Sequence, residues 1–328
     1  MLKIGVFGAG PLGKSHIEHW KEIPGIKLTG FYDPDDSNAA TVIEQYDIKR
    51  YTDADELINM ADVADIVSAT ATHFEIAKKC LLNQKHILIE KPLTHSLEEA
   101  SELVKIVNEA NVKCQVGYIE RYNPALLASS SRILQPMFIE AHRLAKSSLQ
   151  SSDISVVMDL MIHDIDIILH LVRSPVRRIS ANGVSVISET TDIVNARIEF
   201  DNGCVANLTS SRISLNNTQQ MSIFQHDACI NIDFLEGKAE VLSLKELDGE
   251  TDMTNSMLQL PGNNSKAISV DTTVVKASNA IKMQLEEFAD AVLNDRPVRV
   301  NVYDGYQAMD VAQQVLKKMS LHNELHNV

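Results

Sequence analysis

Over roughly the first 120 residues, short apolar runs alternate with stretches whose apolar positions recur at helical spacing. The runs are Leu2 to Phe7, Ile26 to Tyr32, Ala64 to Ala69, Lys85 to Ile89 and Val112 to Val116. Lys14 to Glu22, Phe74 to Asn83 and Leu97 to Asn111 read as the helices between them. Runs of this kind suit strands covered on both faces, the arrangement of parallel βαβ units. The expectation is an α/β fold with a doubly wound parallel sheet and right-handed crossovers.

Beyond Pro124 the pattern changes. Ser155 to Leu171 is one strongly apolar helix that nevertheless carries Asp159, His163, Asp164 and Asp166. From Val176 to about Leu244 the period is two: Val194, Ala196, Ile198 and Phe200 share a face, and Asp201-Asn202-Gly203 makes a hairpin turn. Ala228 to Phe234 and Lys238 to Leu244 flank Glu236-Gly237 in the same way. This predicts an antiparallel meander, hence an α+β second domain with a mostly antiparallel open sheet. Gly249 to Val274 reads as a polar loop with room for one strand, and helices over Asn279 to Leu293 and Asp304 to Ser320 close the chain. The expected domains are 1–120 and 121–328. A sheet with helices on one face needs cover on the other, so the meander is the expected surface of a homodimer or homotetramer.

Composition narrows the class. The 328 residues are 45% hydrophobic and 23% charged, ordinary for a globular protein with sizeable cores. Thirty Lys plus Arg stand against 44 Asp plus Glu, a net charge of −14, which argues against nucleic-acid and membrane-surface partners. No apolar run approaches the ~20 residues of a membrane helix. The chain passes from Met1 directly into its first strand, so no secretory signal is expected. Cys80, Cys114, Cys204 and Cys229 form no CxxC pair, which excludes a zinc-ribbon site and disfavours a disulfide scaffold. A reduced, cytoplasmic protein follows.

Gly8-Ala9-Gly10-Pro11-Leu12-Gly13 joins a strand to a helix. In a dinucleotide site the first glycine makes the turn, the second admits the pyrophosphate to the backbone, and the third lets helix and strand pack. Asp33, about 20 residues further on, stands where a carboxylate would receive the adenosine ribose. Gly8 to Ser15 also satisfies GxxxxGKS, in which Lys14 would reach the phosphates of a nucleoside triphosphate. That reading needs an acidic magnesium ligand closing a strand, and Glu90 is the candidate; Asp33 favours the dinucleotide. With Asp33, Asp35 and Asp36 together, and no Arg or Lys beside Asp33 in the chain, NAD is expected rather than NADP.

Ligands of doubly wound sheets bind beyond the carboxyl ends of the strands. Thr70, Thr72 and His73 end the third apolar run, and Glu90-Lys91-Pro92 ends the fourth. Lys91 would point its ammonium into the cleft, where it can stabilise a developing alkoxide; the bland alternative is an exposed lysine, and Pro92 admits a cis bond. For Thr72 the better-supported role is capping the helix that starts near His73. Asp159, His163 and Asp166 lie at i, i+4 and i+7 of the apolar helix, on one face. His163 suits a general base oriented by Asp159, while Asp166 suits a satisfied buried polar group. Two carboxylates and an imidazole without further ligands give no metal site. Tyr118, Arg121 and Tyr122 fall where two domains should meet, and so are expected to line a substrate cleft, Arg121 clamping an anion or pairing with a carboxylate.

GAGPLG, Asp33, EKPL over Glu90 to Leu93 and the DxxxHxxD helix over Asp159 to Asp166, in this order along the whole chain, resemble the glucose–fructose oxidoreductase/inositol dehydrogenase (Gfo/Idh/MocA) family. The resemblance implies an N-terminal Rossmann domain, a C-terminal domain whose open sheet mediates oligomers, and NAD(P)-dependent chemistry at a sugar-like carbon. It assigns Lys91, Asp159 and His163 to the catalytic set; Met161 departs from a glycine often found two residues before that histidine. GYIERYNPA and DLMIHDID are similar to members acting on UDP-N-acetylglucosamine-like nucleotide sugars at the 3-hydroxyl, with free sugars and polyols such as inositol as alternatives. A non-catalytic NAD sensor would keep the glycine loop and dispense with Lys91 and His163, and an NAD-dependent glycosidase would release sugar with no net NADH.

Overall fold

The computed structural model describes residues 1–146, 154–246, 257–259, 266–275 and 278–326. These form two compact units, one of Met1–Tyr122 with Asn279–Asp310, the other of Asn123–Ser278 with Val311–Val328.

In the first unit β1 (Leu2–Phe7), α1 (Pro11–Glu22), β2 (Ile26–Tyr32), α2 (Asp36–Tyr46), β3 (Arg50–Tyr51), α3 (Ala54–Met60), β4 (Val63–Ile66), α4 (Thr70–Leu82), β5 (His86–Glu90), α5 (Leu97–Ala110) and β6 (Cys114–Gly117) follow one another. The six strands form one parallel sheet in the order β3-β2-β1-β4-β5-β6. The order reverses between β1 and β4, which makes that point the ligand-binding switch of a doubly wound sheet. Five of the strands are the expected ones. The sixth, β3, is a two-residue edge whose flanking helices carry no clean apolar stripe. They are started by caps instead: Asp35 accepts from the amides of Ser37 and Asn38, and Asp53 from that of Asp55.

In the second unit α6 (Pro124–Ser129) and β7 (Phe138–Lys146) precede a π-helical turn, Val157–Met161, which runs into α7 (Ile162–Val172). Eight further strands follow: β8 (Val176–Val184), β9 (Ile193–Phe200), β10 (Val205–Ser214), β11 (Thr218–Gln225), β12 (Ala228–Asp233), β13 (Lys238–Glu246), β14 (Met257–Gln259) and β15 (Lys266–Val274). All nine strands make one sheet, ordered β14-β15-β13-β12-β11-β7-β10-β9-β8. The expected meander is interrupted at its centre, because β7 inserts between β10 and β11 and pairs with β10 in parallel. Its alternation was masked by Arg143, a cation on the buried face among Ile139 and Ala141. Both expected hairpin turns are present, with Gly203 at φ 88° and Gly237 at φ 63°. Of the loop expected over 249–274, residues 249–256 and 260–265 lie outside the described residues, and the remainder is strand.

The chain closes with α8 (Ala280–Leu293) and α9 (Val302–His326). Leu285, Phe288 and Ala289 of α8 complete the core that Ile4, Val6, Ile17, Trp20 and Phe31 form in the first unit. A division at residue 120 therefore leaves out part of the first core: α8 shows the usual apolar stripe, but a stripe does not say which sheet it covers.

Candidate active site

The glycine turn has the shape that a dinucleotide requires. Gly8 has φ 113°, a conformation open to glycine, and a Cβ at Gly13 would stand 2.1 Å from the Gly8 carbonyl oxygen. α1 thus starts hard against the turn, with Gly10 as its N-cap and Pro11 at its first position. Nothing lies within 4 Å of where a Gly10 Cβ would be, so that backbone is open to an anion at the helix N-terminus. The Asp33 carboxylate accepts from the Ala9 amide at 2.6 Å and from the Asp35 amide at 2.8 Å. Each oxygen keeps a second lone pair for a ribose hydroxyl. Gly8, Gly10, Pro11, Leu12, Asp33 and Thr72 line a cavity of about 630 Å³, ample for an adenosine and its phosphates. On these observations the residues present fit NAD.

A cation does stand near Asp33 in space. Arg50 Nη2 donates to the Asp33 carbonyl oxygen at 2.9 Å, and Nη1 pairs with Asp36 at 2.7 Å. Seventeen residues separate Arg50 from Asp33, and only the short β3 brings them together. The Asp36 carboxylate occupies the guanidinium, which leaves the acidic character of this corner intact.

At the strand ends the expected residues divide. Thr72 lines the cavity, its hydroxyl bonded to the Ala69 carbonyl and the Ser68 hydroxyl. The helix cap is Ala69 rather than Thr72, and Thr70 is not among the lining residues. His73 is buried, with Nδ1 3.0 Å from the Pro92 carbonyl oxygen and Nε2 3.0 Å from that of Ser68. Burial holds its pKa below the ordinary value against the pull of those carbonyls. His73 is thus a strap between two strand-end loops, with no ring nitrogen left for a cofactor. Lys91 is half-buried directly after β5, and its bond to Pro92 is cis. Glu90 is buried, with Lys91 N–H donating to its Oε2 at 3.2 Å.

Tyr118, Arg121 and Tyr122 are buried as well, and the Arg299 guanidinium lies 5.2 Å from the Tyr122 ring centre. Burial drives the Tyr122 phenol far above its ordinary pKa. The three side chains are buried where the first unit ends.

In the second unit the expected single α-helix is two segments. The Ile162 amide reaches back to the Val157 carbonyl, an i→i−5 bond that widens the turn. Asp159 lies inside the widened turn and His163 just beyond it, both half-buried, so the i, i+4 face is re-phased between them. Turns of this kind are frequent at functional sites. Asp166 is buried, as expected of a satisfied polar group. Sequence reasoning passed over Asp164, which receives Arg143 Nε at 3.1 Å and Nη2 at 2.8 Å in a buried bidentate pair. The signal was available: two charged residues on faces that otherwise bury only apolar groups.

A parallel sheet ending in a glycine turn with a ribose-receiving carboxylate, joined to a unit built on an open, mostly antiparallel sheet, defines a two-domain dinucleotide-dependent oxidoreductase. Residues 2–118 match the family model described as the oxidoreductase family with an NAD-binding Rossmann fold, and 140–230 match the GFO/IDH/MocA C-terminal domain. The chain is 30% identical to the UDP-N-acetylglucosamine 3-dehydrogenase of Acidithiobacillus ferrooxidans over 96% of each chain. A crystal structure of that enzyme superposes with a TM-score of 0.87 at 29% identity, covering 97% of both chains. The NAD-dependent scyllo-inositol 2-dehydrogenase of Bacillus subtilis is 30% identical over 65% of this chain and 68% of its own. The chain belongs to the Gfo/Idh/MocA oxidoreductase family and is an NAD-dependent dehydrogenase. Among the described residues no helix is long and apolar enough to cross a membrane.

Proposed function

We propose that the chain oxidises a hydroxyl carbon of a nucleotide sugar with NAD, the 3-hydroxyl of UDP-N-acetylglucosamine being the first candidate. The observation that carries this reading is the likeness to a 3-dehydrogenase of that nucleotide sugar along 96% of both chains. Bound nicotinamide supplies the hydride acceptor. His163 takes the hydroxyl proton, Lys91 stabilises the charge developing on the oxygen, and Asp159 orients His163. The glycine turn and Asp33 hold the cofactor, with Pro11, Leu12 and Thr72 along its cavity. An inositol or free-sugar reading draws on the Bacillus relative, which aligns over a smaller share of the chain.

A panel of UDP-sugars, free sugars and inositols, followed by the absorbance of reduced nicotinamide, tests the substrate class. UDP-N-acetylglucosamine is expected to turn over with a kcat/KM at least about tenfold above any polyol, the discrimination available to a site built for extra polar groups. Turnover of inositols alone would reverse the assignment. Sugar release with no net NADH would mark a glycosidase, and binding of NAD with no turnover of any member a sensor.

We also infer a homo-oligomer joined through the open face of the second sheet. Asn195, Arg197, Asn207, Gln220 and Glu240 stand on that face, opposite the buried Val194, Ala196 and Ile198. Sedimentation is expected to give a dimer or tetramer at micromolar concentration, and a stable monomer removes the inference.

A further inference from the structure

Beneath the strand-end lysine lies a cluster of ionisable groups that the proposed chemistry does not use. His16 on α1, Asp65 on β4 and Glu90 on β5 are 1%, 0% and 8% exposed. Asp65 Oδ2 accepts from Trp20 Nε1–H at 2.7 Å and from His16 Nδ1 at 2.9 Å. The other ring nitrogen of His16 lies 3.8 Å from Glu90 Oε1. Space for the Glu90 carboxylate comes from Gly117, where a Cβ would stand 2.2 Å from the same oxygen. Neither His16, Asp65 nor Glu90 lines the dinucleotide cavity.

Asp65 takes the hydrogen bond from the ring, while Glu90, at 3.8 Å, meets the imidazolium through charge; a neutral ring donating to Asp65 would turn a lone pair toward Glu90. Burial by itself pulls the His16 pKa down, but the charge and hydrogen bond of Asp65 and the charge of Glu90 outweigh it, leaving the group above its ordinary value. Burial likewise pushes the Glu90 carboxyl up, opposed by His16, by the Lys91 amide and by the Lys91 ammonium. Among the described residues, Asp65 and Glu90 are the charged groups facing the imidazole; Trp20, on its own helix, is neutral.

We propose that His16 is a positioning residue for Lys91: its ring bridges Asp65 on β4 to Glu90 on β5, and the anchored Glu90 carboxylate fixes the Glu90–Lys91 peptide from which the lysine projects. This rests on the reading of Lys91 as the group that meets the substrate oxygen. The stability the imidazolium contributes is complete below about pH 6.5 and is lost as pH rises through its elevated pKa.

Trp20 is the only tryptophan of the chain, and an imidazolium beside an indole quenches its emission. In the unmodified enzyme, emission is expected to stay low through pH 6.5, the ordinary histidine value, and to rise with a midpoint above it. His16→Gln keeps an amide donor for Asp65 and abolishes the cation, so the rise disappears. A midpoint at or below 6.5, or the same rise in His16→Gln, overturns the bridge. In His16→Gln, hydrogen exchange of the segment from His86 to Leu93 is expected to quicken about tenfold while α2 is unchanged, and kcat to fall about tenfold with NADH affinity held within about threefold. Unchanged exchange or unchanged kcat overturns the positioning role. Should the unmodified enzyme turn over no sugar of the panel, the functional reading fails, while emission and exchange still decide the bridge.

Discussion

Lys91→Ala is expected to lower the kcat for UDP-N-acetylglucosamine oxidation about 10³-fold while NADH binds within about threefold of the unmodified affinity. Lys91 follows the buried Glu90 at the carboxyl end of β5, one strand from the switch point between β1 and β4. In the proposed reading, a cation there, half-withdrawn from water, would meet the negative charge that grows on the substrate oxygen as its proton leaves. It offers much less to the neutral hydroxyl of the ground state. Removing it should therefore raise the barrier without a matching rise in KM, the signature of an interaction made in the transition state. In the proposed reading the cofactor is held elsewhere, by the glycine turn and by Asp33, whose carboxylate is fixed by the amides of Ala9 and Asp35. Pre-steady-state hydride transfer with calorimetric NADH binding separates the two effects. His163→Ala belongs to the same test and is expected to cost about 10²- to 10⁴-fold, with recovery at high pH where the hydroxyl ionises unaided. Unimpaired turnover in both variants would remove the proposed acid–base pair.

What the sequence discloses depends on how local the cause is. The glycine turn is legible because its glycines stand at the fixed offsets of a local strand-to-helix turn: Gly8 takes φ 113°, and the Gly13 position is closed by the Gly8 carbonyl five residues back. β1, β2, β4, β5 and β6 announce themselves as apolar runs because both their faces are covered. β3 does not, since two residues make no pattern, and with it the approach of Arg50 to Asp33 and Asp36 is hidden. The widened turn at Val157–Met161 is invisible to a search at helical period, which assigns Asp159 and His163 one undistorted face. Tyr118, Arg121 and Tyr122 stand where the change of pattern in the chain marks a domain boundary, and the first unit does end at Tyr122; that packing buries all three is not legible from their polar character. His16 left a trace that went unused. Gly13, Ile17 and Trp20 mark the buried stripe of α1, and a histidine within that stripe requires a partner, which Asp65 supplies from β4.

Asp164→Leu is expected to be the most destabilising single change in the second unit. It takes from the buried Arg143 guanidinium the bidentate carboxylate at 2.8 and 3.1 Å, and breaking such a pair from one side costs about 3–5 kcal/mol. For a domain of this size that is a fall in melting temperature of roughly 6–20 °C, at about 2–4 °C per kcal/mol. The penalty reflects the loss of the bidentate partner from a guanidinium that, like the carboxylate, gave up its hydration on folding. Arg143→Met with Asp164→Leu should accordingly recover most of the loss, with an interaction energy of at least about 2 kcal/mol across the double-mutant cycle. Methionine also preserves the contact with the Phe234 ring, over which the guanidinium now lies at 5.8 Å. The consequence extends to the candidate site, since Asp164 adjoins His163 and ties the first turn of α7 to β7 at the sheet centre. The double variant should thus melt near the unmodified temperature yet show a reduced kcat, because the apolar pair restores packing without restoring the directional tie. Calorimetric melting of the four proteins of the cycle measures the first effect. A single-variant loss below about 1 kcal/mol would mean that solvent reaches this pair and that β7 is not anchored through it.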